Sequence, residues 1–256
     1  VTKLMNSTKL IAMIPARIGS TRLKMKNLAL IAGKPMIAYA IEAAKASGVF
    51  DQIILNSDSV IFEKIAQEYG CEFYHRPEKL GSSSTKSDDV VLDFIHQFGG
   101  DIVVWVNSTS PLQPAQEIQE AVNYFNENDF DSLITVKNEQ VHCVMDNQPV
   151  NFSFDGQFAQ TQDLAPVQSF VYSLMMWRTD TFQEAMGRQG YAILHGNIGY
   201  YQVSKWSGII IKTEEDLLLA DFIARSRKEQ NKVTYHPLAP IQHYRSKYII
   251  INGCRT

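Results

Sequence analysis

The first half of the chain alternates short apolar runs with longer stretches whose apolar residues recur at helical spacing. Short apolar runs bounded by polar residues predict buried strands, and the periodic stretches predict amphipathic helices. The predicted strands occupy residues 10–15, 53–55, 101–106 and 133–136. The predicted helices occupy residues 35–47, 59–69, 87–98 and 117–125. Strands that alternate with helices imply an α/β fold, with a mainly parallel sheet and helices on both of its faces.

Residues at the ends of these helices support the assignment. Pro35 stands near the start of the first helix and Gly48 just past its end, as is common for helices. Ser87 has the side chain of an N-cap for the third helix. In a mainly parallel sheet, ligands bind beyond the carboxyl ends of the strands, so the loops that follow the strands are where a site is expected.

The second half of the chain is less regular. Residues 140–168 break into turns and short extended pieces, and an irregular segment of that length inside a compact fold is usually functional. Further strands are predicted at residues 171–177, 200–203 and 209–211, followed by a helix at 214–229 with Thr213 as its cap. We therefore predict one domain over residues 1–232 with an arm at about 140–168. Residues 233–256 form a C-terminal extension to which no role is assigned.

Composition limits the possible partners. The chain has 256 residues, 45% of them hydrophobic, which is enough for a sizeable core. Its 24 Lys and Arg nearly balance its 27 Asp and Glu, so neither nucleic acid nor a membrane surface is an expected partner. Three scattered cysteines lack metal-ligand spacing and suit a reducing compartment. With no signal-peptide pattern and no apolar run of ~20 residues, we expect a cytoplasmic protein.

The loop after the first predicted strand carries the strongest chemical signal. It contains a glycine and four cationic side chains within ten positions, which are Arg17, Arg22, Lys24 and Lys26. Backbone N–H groups after a strand form an anion-binding concavity, and arginine adds a two-pronged donor that matches phosphate oxygens. The alternative is an ordinary solvated basic loop. The loop is not a P-loop, because the GxxxxGK[ST] pattern is absent.

Seven motifs in order resemble the acylneuraminate cytidylyltransferases, the family of CMP-sialic acid synthetases. They extend over residues 10–225, nearly the whole chain. The motifs are PARIGSTRLKMKN at 15–27, GKP at 33–35, NSD at 56–58, RPEKL at 76–80, STSPL at 108–112, QDLAP at 162–166 and TEEDL at 213–217. The chain is identified as a member of this family on those motifs.

The resemblance implies a fold, an activity and an assembly. The fold is like that of the nucleotide-diphospho-sugar transferases, and the activity is transfer of CMP from CTP to an acidic keto-sugar with release of pyrophosphate. The irregular arm resembles the segment through which family members form a homodimer. Two alternatives stay open, namely a non-catalytic or metal-altered homologue that binds nucleotide, and a sugar nucleotidyltransferase with a different base or acceptor.

The resemblance also implies roles for individual residues. Arg17 and Lys26 are the candidate catalytic residues, which hold the triphosphate. The candidate nucleotide-binding residues are Ala16, Gly19, Ser20, Asn27, Arg76 and Ser87, and the candidate acceptor-binding residues are Asn107, Ser108 and Thr109. Structural alternatives stay open for three of them, because Arg76 can tie down a strand end, Ser87 can cap a helix and Thr109 can belong to a turn.

Several positions depart from the family pattern. Ile210 and Lys212 stand where the family has two Mg²⁺-binding aspartates, although Mg²⁺ requires hard oxygen ligands. Asp58 remains the candidate metal ligand, with a turn residue as its alternative role, and Lys212 could supply a fixed charge instead of the ion. On the acceptor side, Gln113 replaces an arginine and Asn107 a glutamine, and residues 170–174 replace an R-P-N-G-A motif. These changes predict weaker binding of a sugar carboxylate, because glutamine lacks the charge for a bidentate contact.

Overall fold

The computed structural model describes residues 8–20 and 22–228. Eleven strands lie in this part of the chain. They are β1 (Leu10–Ala16), β2 (Leu30–Ile31), β3 (Lys34–Pro35), β4 (Gln52–Ser57), β5 (Glu72–His75), β6 (Ile102–Val106), β7 (Ser132–Glu139), β8 (Val144–Met145), β9 (Gln148–Pro149), β10 (Val167–Arg178) and β11 (Ile198–Gln202).

Six α-helices are present in the same residues. They are α1 (Met36–Ser47), α2 (Ile61–Tyr69), α3 (Ser87–Phe98), α4 (Ala115–Glu127), α5 (Thr179–Gln189) and α6 (Glu214–Lys228). Three short 3-10 helices lie at Lys26–Leu28, Glu78–Gly81 and Thr161–Asp163. None of the described helices is both long and apolar enough to cross a membrane.

Seven strands form one central sheet in the order β11-β7-β10-β6-β1-β4-β5. Strands β6, β1, β4 and β5 run parallel, as do β11 and β7, whereas β10 is antiparallel to both of its neighbours. The mainly parallel sheet of the sequence analysis is therefore confirmed. The antiparallel insertion of β10 was not foreseen, because the direction of a strand leaves no mark in its hydrophobic pattern.

Helices cover both faces of the sheet, as predicted. On one face, buried side chains of α1, α2 and α4 pack against β1 and β6. On the other face, α3 and α5 contribute Val91, Phe94 and Phe182 to a second core. The last helix, α6, packs its small residues Ala220 and Ala224 in a third cluster. Because both faces are buried, the central strands are almost continuously apolar, which is why their positions could be predicted.

Two predicted features need correction. Residues 209–211 form no strand, because the backbone of Ile211 bonds to Thr109 and to the Lys26 side chain rather than to a neighbouring strand. Ser87 is the first residue of α3 rather than its cap. Lys86 holds the N-cap position, and no side chain caps this helix. By contrast, the cap at Thr213 is confirmed, since its Oγ1 accepts a hydrogen bond of 3.4 Å from the backbone N–H of Asp216.

The arm at residues 140–168 contains the hairpin of β8 and β9 and one 3-10 turn, and is otherwise irregular, as expected. Its backbone is tied down by Asn151, whose side-chain amide donates to the carbonyls of Val141 and Ala165. His142 stacks on Phe158 with 4.2 Å between the ring centroids. The predicted end of the last helix at residue 229, Cys254 and the extension at 233–256 lie outside the described residues.

Candidate active site

A cleft of about 250 Å³ lies at the carboxyl ends of the parallel strands. The position follows from the topology, since β1, β4, β5 and β6 run parallel and the loops after them meet at one edge. Its lining residues are Pro15, Ala16, Arg17, Ser20, Arg22, Lys26, Asn27, Arg76, Leu80, Ser82, Thr85, Ser87, Val90, Trp105, Asn107, Ser108 and Thr109. The structure thus brings together ten of the eleven catalytic, nucleotide-binding and acceptor-binding residues predicted from the sequence. Gly19 is exposed and does not line the cleft.

The basic loop after β1 places cations along one wall of this cleft. Arg17, Arg22 and Lys26 all line it, and none of them forms an ion pair with any described residue. Lys24, by contrast, is exposed and lies outside the lining. A concave surface with unneutralised cations attracts and retains a polyanion.

Lys26 is the most constrained of these cations. Its Nζ donates a hydrogen bond of 3.1 Å to the backbone carbonyl of Ile211, which links the loop to the segment before α6. Burial lowers the pKa of Lys26 from its ordinary 10.5, and the nearby charges of Arg22, Arg17 and Lys212 lower it further. Like charges near a partly buried ammonium favour a bound anion, because an anion relieves their repulsion.

This lowered pKa predicts that the cleft's affinity for an anion such as a nucleoside triphosphate falls with rising pH, and that the fall begins at a lower pH than for an ordinary lysine. Only the protonated ammonium attracts phosphate, so affinity is full below the lowered pKa and falls as pH rises through it. A Lys26→Arg variant stays protonated and should hold its affinity between about pH 7 and 10, measured as the Kd for CTP at each pH. The exposed Lys64→Arg is the control, and identical profiles for wild type and Lys26→Arg would contradict the prediction.

The basic loop is held in place by polar contacts with neighbouring strands. The backbone N–H of Ile18 donates to Asp58 Oδ1 at 3.1 Å. The side chain of Asn27 is buried, and its Oδ1 accepts a hydrogen bond of 2.9 Å from the hydroxyl of Ser108. Ser108 lies just after β6 and is only 2% exposed. Asn27 and Ser108 therefore join two walls of the cleft.

Arg76 lies on the opposite wall, directly after β5. The residue is only 4% exposed, and its Nη1 donates to the backbone carbonyl of Asn56 at 3.3 Å. Its Nη2 lies 3.9 Å from Asp58 Oδ1. Burial lowers its pKa, although Asp58 acts in the other direction. Its Nε is buried without a hydrogen-bond partner, so part of the guanidinium is not used by the fold. Arg76 thus ties down a strand end and also lines the cleft.

Asn107 and Thr109 form the turn that follows β6. The Asn107 amide nitrogen donates to the carbonyl of Tyr172 at 2.9 Å, and its Oδ1 accepts from both the N–H and the hydroxyl of Thr109. Both ends of this amide are therefore engaged within the protein. The two residues form the turn and also line the cleft, so a structural role in the turn does not conflict with their place in the site.

The sequence profile of the cytidylyltransferases matches residues 11–205, about three quarters of the chain. The chain belongs to the cytidylyltransferase family. This confirms the family resemblance carried by the seven motifs.

Two curated relatives have more specific descriptions. An N-acylneuraminate cytidylyltransferase of Streptococcus agalactiae serotype III is 35% identical over 137 residues, which cover 52% of this chain and 33% of that protein. A CMP-N,N'-diacetyllegionaminic acid synthase of Legionella pneumophila is 35% identical over 120 residues, covering 44% of this chain and 52% of that protein. The chain thus spans about a third of the length of the streptococcal relative it matches.

A solved structure shows the same architecture. CMP:2-keto-3-deoxy-manno-octonic acid synthetase complexed with CTP superposes with a TM-score of 0.67 at 17% identity. The match covers 86% of this chain and 100% of the other. At that level of identity the likeness concerns the fold alone, and it confirms the expected nucleotidyltransferase architecture.

A protein-bound Mg²⁺ prefers hard oxygen ligands. The described residues of this family member contain no group of three or more His, Cys, Asp or Glu side chains that could hold a metal ion. The Asp58 side chain is 8% exposed and lies outside the cleft lining, where it binds the Ile18 N–H and faces Arg76. Its role as a metal ligand stays a prediction, and these contacts support its alternative role in the turn.

Seven residues that line the cleft were not among the predicted site residues, and two of them have side chains of chemical interest. Arg22 was noted only as one of a group of cations. Trp105 lies in the predicted apolar strand at residues 101–106, but it is half-buried and lines the cleft. Its indole Nε1 has no hydrogen-bond partner. The signal available in advance was its place one residue before the end of β6, where strand residues of this fold begin to face ligands.

Gln113, which stands in place of the family arginine, does not line the cleft. It is buried, and its amide nitrogen lies 3.3 Å from both Glu117 Oε1 and Ser173 Oγ. Phe170 and Tyr172, in the segment that replaces R-P-N-G-A, are both partly exposed. They line a separate recess together with Lys137 and Lys212.

Proposed function

We propose that this protein transfers CMP from CTP to the anomeric hydroxyl of an acidic keto-sugar of the nonulosonic type. The observation that carries the proposal is the placement of Arg17, Arg22 and Lys26, without ion-pair partners, in one cleft at the carboxyl ends of the parallel strands. Membership of the cytidylyltransferase family supports CTP as the donor. The substrates named for the streptococcal and Legionella relatives support an acidic sugar as the acceptor.

In this reaction, the sugar hydroxyl oxygen forms a bond to the α-phosphorus of CTP. The bond from that phosphorus to the oxygen bridging to the β-phosphate breaks, pyrophosphate departs with the electron pair, and the hydroxyl proton passes to solvent. The protein contributes by positioning the reactants and neutralising charge. Arg17 and Lys26 hold the triphosphate, while Ala16, Ser20 and the flexible Gly19 allow close approach of the backbone.

The opposite wall is proposed to receive the cytosine base. Arg76 and Ser87 line this wall and supply polar groups for contact with the base. The 3-10 turn and the Ser- and Thr-rich loop before α3 complete it, with Ser82 and Thr85 in the lining. Asn107, Ser108 and Thr109 stand at the end of β6, and we assign them to the acceptor side.

Measuring pyrophosphate release tests this function directly. The purified protein should release pyrophosphate with CTP and at least one sugar of a panel of keto-sugar acids, and at least about a hundredfold more slowly with ATP, GTP or UTP. Release with another nucleotide instead would favour a sugar nucleotidyltransferase of different base specificity. Absence of release with every pair, together with measurable CTP binding, would favour the non-catalytic alternative, which the missing metal donor set supports.

We also propose a homodimer formed through the arm at residues 140–168, within a nucleotidyltransferase domain of residues 1–232. The arm exposes large apolar side chains, among them Met145 at 69%, Phe154 at 65% and Phe158 at 78%. Such a group of exposed apolar side chains marks an interaction surface, and a second copy of this chain fits it best because the arm resembles the family's dimerisation segment. The free thiols of Cys71 and Cys143 support a cytoplasmic location.

The dimer makes a direct prediction for charged substitutions in the arm. Met145→Asp combined with Phe154→Asp should raise the dimer dissociation constant at least about a hundredfold, because each change places a carboxylate in an apolar interface. Light scattering at micromolar concentration should then report the mass of a monomer. Leu218→Asp, equally exposed on α6, is the control and should leave the mass unchanged. A monomeric wild-type protein would remove the proposal.

A further inference from the structure

The cleft region carries four cations for which the described fold supplies no ion-pair partner. Three are Arg17, Arg22 and Lys26 of the basic loop, and the fourth is Lys212, which stands just before α6. Ion pairs do form elsewhere in the described chain, as between Lys137 and Glu139. An uncompensated group of positive charges is costly for the empty protein and therefore points to an anionic ligand.

Lys212 is fixed close to this group by contacts of its neighbour. The backbone N–H of Ile211 donates to the carbonyl of Thr109 at 2.9 Å, and its carbonyl accepts from Lys26 Nζ at 3.1 Å. Thr109 and Lys26 both line the cleft, so the segment before α6 is fastened to the cleft rim at the residue next to Lys212. The Lys212 side chain is exposed and lines the recess that also contains Phe170 and Asp216, next to the cleft rather than in it. Its charge contributes to the lowered pKa of Lys26.

Two carboxylates near this group each have an oxygen engaged within the fold. Asp216 Oδ2 accepts hydrogen bonds from the backbone N–H groups of Lys212 and Thr213, at 2.8 and 2.9 Å. Asp58 Oδ1 accepts from Ile18 and faces Arg76. The described residues contain no group of three or more His, Cys, Asp or Glu side chains that could hold a cation, whereas a triphosphate finds a surplus of positive charge.

We infer that Lys212 supplies to the triphosphate the positive charge that a protein-bound divalent cation would otherwise provide, so that this protein binds CTP without a metal. The inference rests on the proposed function and specifies how that site holds its nucleotide. Lysine is a compact charge on a mobile stem and suits a phosphate oxygen. It also predicts an unusual effect of Mg²⁺: chelation by Mg²⁺ reduces the negative charge of CTP, so the metal should not strengthen binding.

Calorimetric titration of the 256-residue chain with CTP tests this inference, once in excess EDTA and once in excess Mg²⁺. The wild-type Kd in EDTA should be equal to or lower than the Kd in Mg²⁺. Lys212→Ala should raise the Kd in EDTA about tenfold, the effect of one charge-assisted contact. Lys212→Asp should weaken binding further in EDTA and regain affinity in Mg²⁺, because it adds a hard oxygen ligand. The exposed Lys64→Ala on α2 is the matched control.

The outcomes separate this inference from the proposed function. If the wild-type protein binds CTP only in Mg²⁺, or if Lys212→Ala binds CTP in EDTA as Lys64→Ala does, the inference is overturned and the proposed function stands. If the wild-type protein binds no CTP in either condition, the proposed function fails as well. A melting curve for each variant establishes that the fold is retained, which the exposure of Lys212 leads us to expect.

Discussion

Replacing Arg17 by alanine should lower kcat/KM for CTP at least about a hundredfold, because a charge-assisted, two-pronged contact to phosphate is lost in a cleft that excludes much of the solvent. Arg17 directly follows β1, at the point where the parallel strands end. It makes no ion pair with a described residue, so its removal leaves no buried carboxylate unpaired. The loss should therefore appear in nucleotide binding and turnover rather than in stability.

Steady-state kinetics and CTP titration together check this expectation. Arg17→Lys keeps the positive charge but loses the two-pronged guanidinium. Its kcat/KM for CTP should therefore fall only about tenfold, less than that of Arg17→Ala. Arg188→Ala removes an exposed arginine at the end of α5 and serves as the matched control. Equal activity of Arg17→Ala and Arg188→Ala would show that the basic loop does not bind the nucleotide.

Replacing Trp177 by alanine should lower the free energy of unfolding by about 3–5 kcal/mol, the usual cost of truncating a large buried side chain. Trp177 lies in β10 and has no exposed surface. Its ring meets Phe182 of α5 edge-on at 5.7 Å between centroids, and its Nε1 donates to the carbonyl of Ile193 at 2.9 Å. The substitution opens a cavity and leaves the carbonyl of Ile193 without its donor.

Chemical denaturation with urea measures this effect, read as a lower midpoint at an unchanged slope. The control is Trp206→Ala, because Trp206 is 44% exposed and stacks only under the guanidinium of Arg227 at 4.5 Å. That substitution should cost less than about 1 kcal/mol. Comparable losses for the two tryptophans would mean that burial in β10 does not dominate the stability of this region.

The hydrophobic pattern predicted the fold wherever strands and helices bury apolar residues strongly. The runs that became β1, β4 and β6 lie beneath helices on both faces, so they are apolar along most of their length. The pattern failed for β5 and α5. Strand β5 lies at the sheet edge and has no fully buried residue, while α5 buries only Thr179, Phe182 and Ala185. Weak burial leaves a weak periodic signal.

Candidate site residues could be predicted where their chemistry is carried by one local segment. The basic loop after a buried strand drew attention to Arg17 and Lys26, and the family motif in that loop implied the roles of both and of Asn27. Trp105 was missed because an aromatic residue in an apolar strand has the same signature whether it packs in a core or faces a cleft. Asp58 and Gln113 were proposed or questioned as ligand residues, but the structure engages them with Ile18 and Ser173, which are distant in sequence.

The sequence by itself determined the family, the alternation of strands and helices, and the basic loop. Each of these features depends on residues that are close together in the chain or on their periodicity. Only the tertiary structure decided which cations lack ion-pair partners, which carboxylate oxygens are engaged, and that Ile211 joins the segment before α6 to the rim of the nucleotide cleft. Those properties depend on contacts between segments such as Lys26 and Ile211, which lie 185 positions apart. Local pattern fixes which elements form, whereas the charge balance of a site is set by the residues that folding brings beside it.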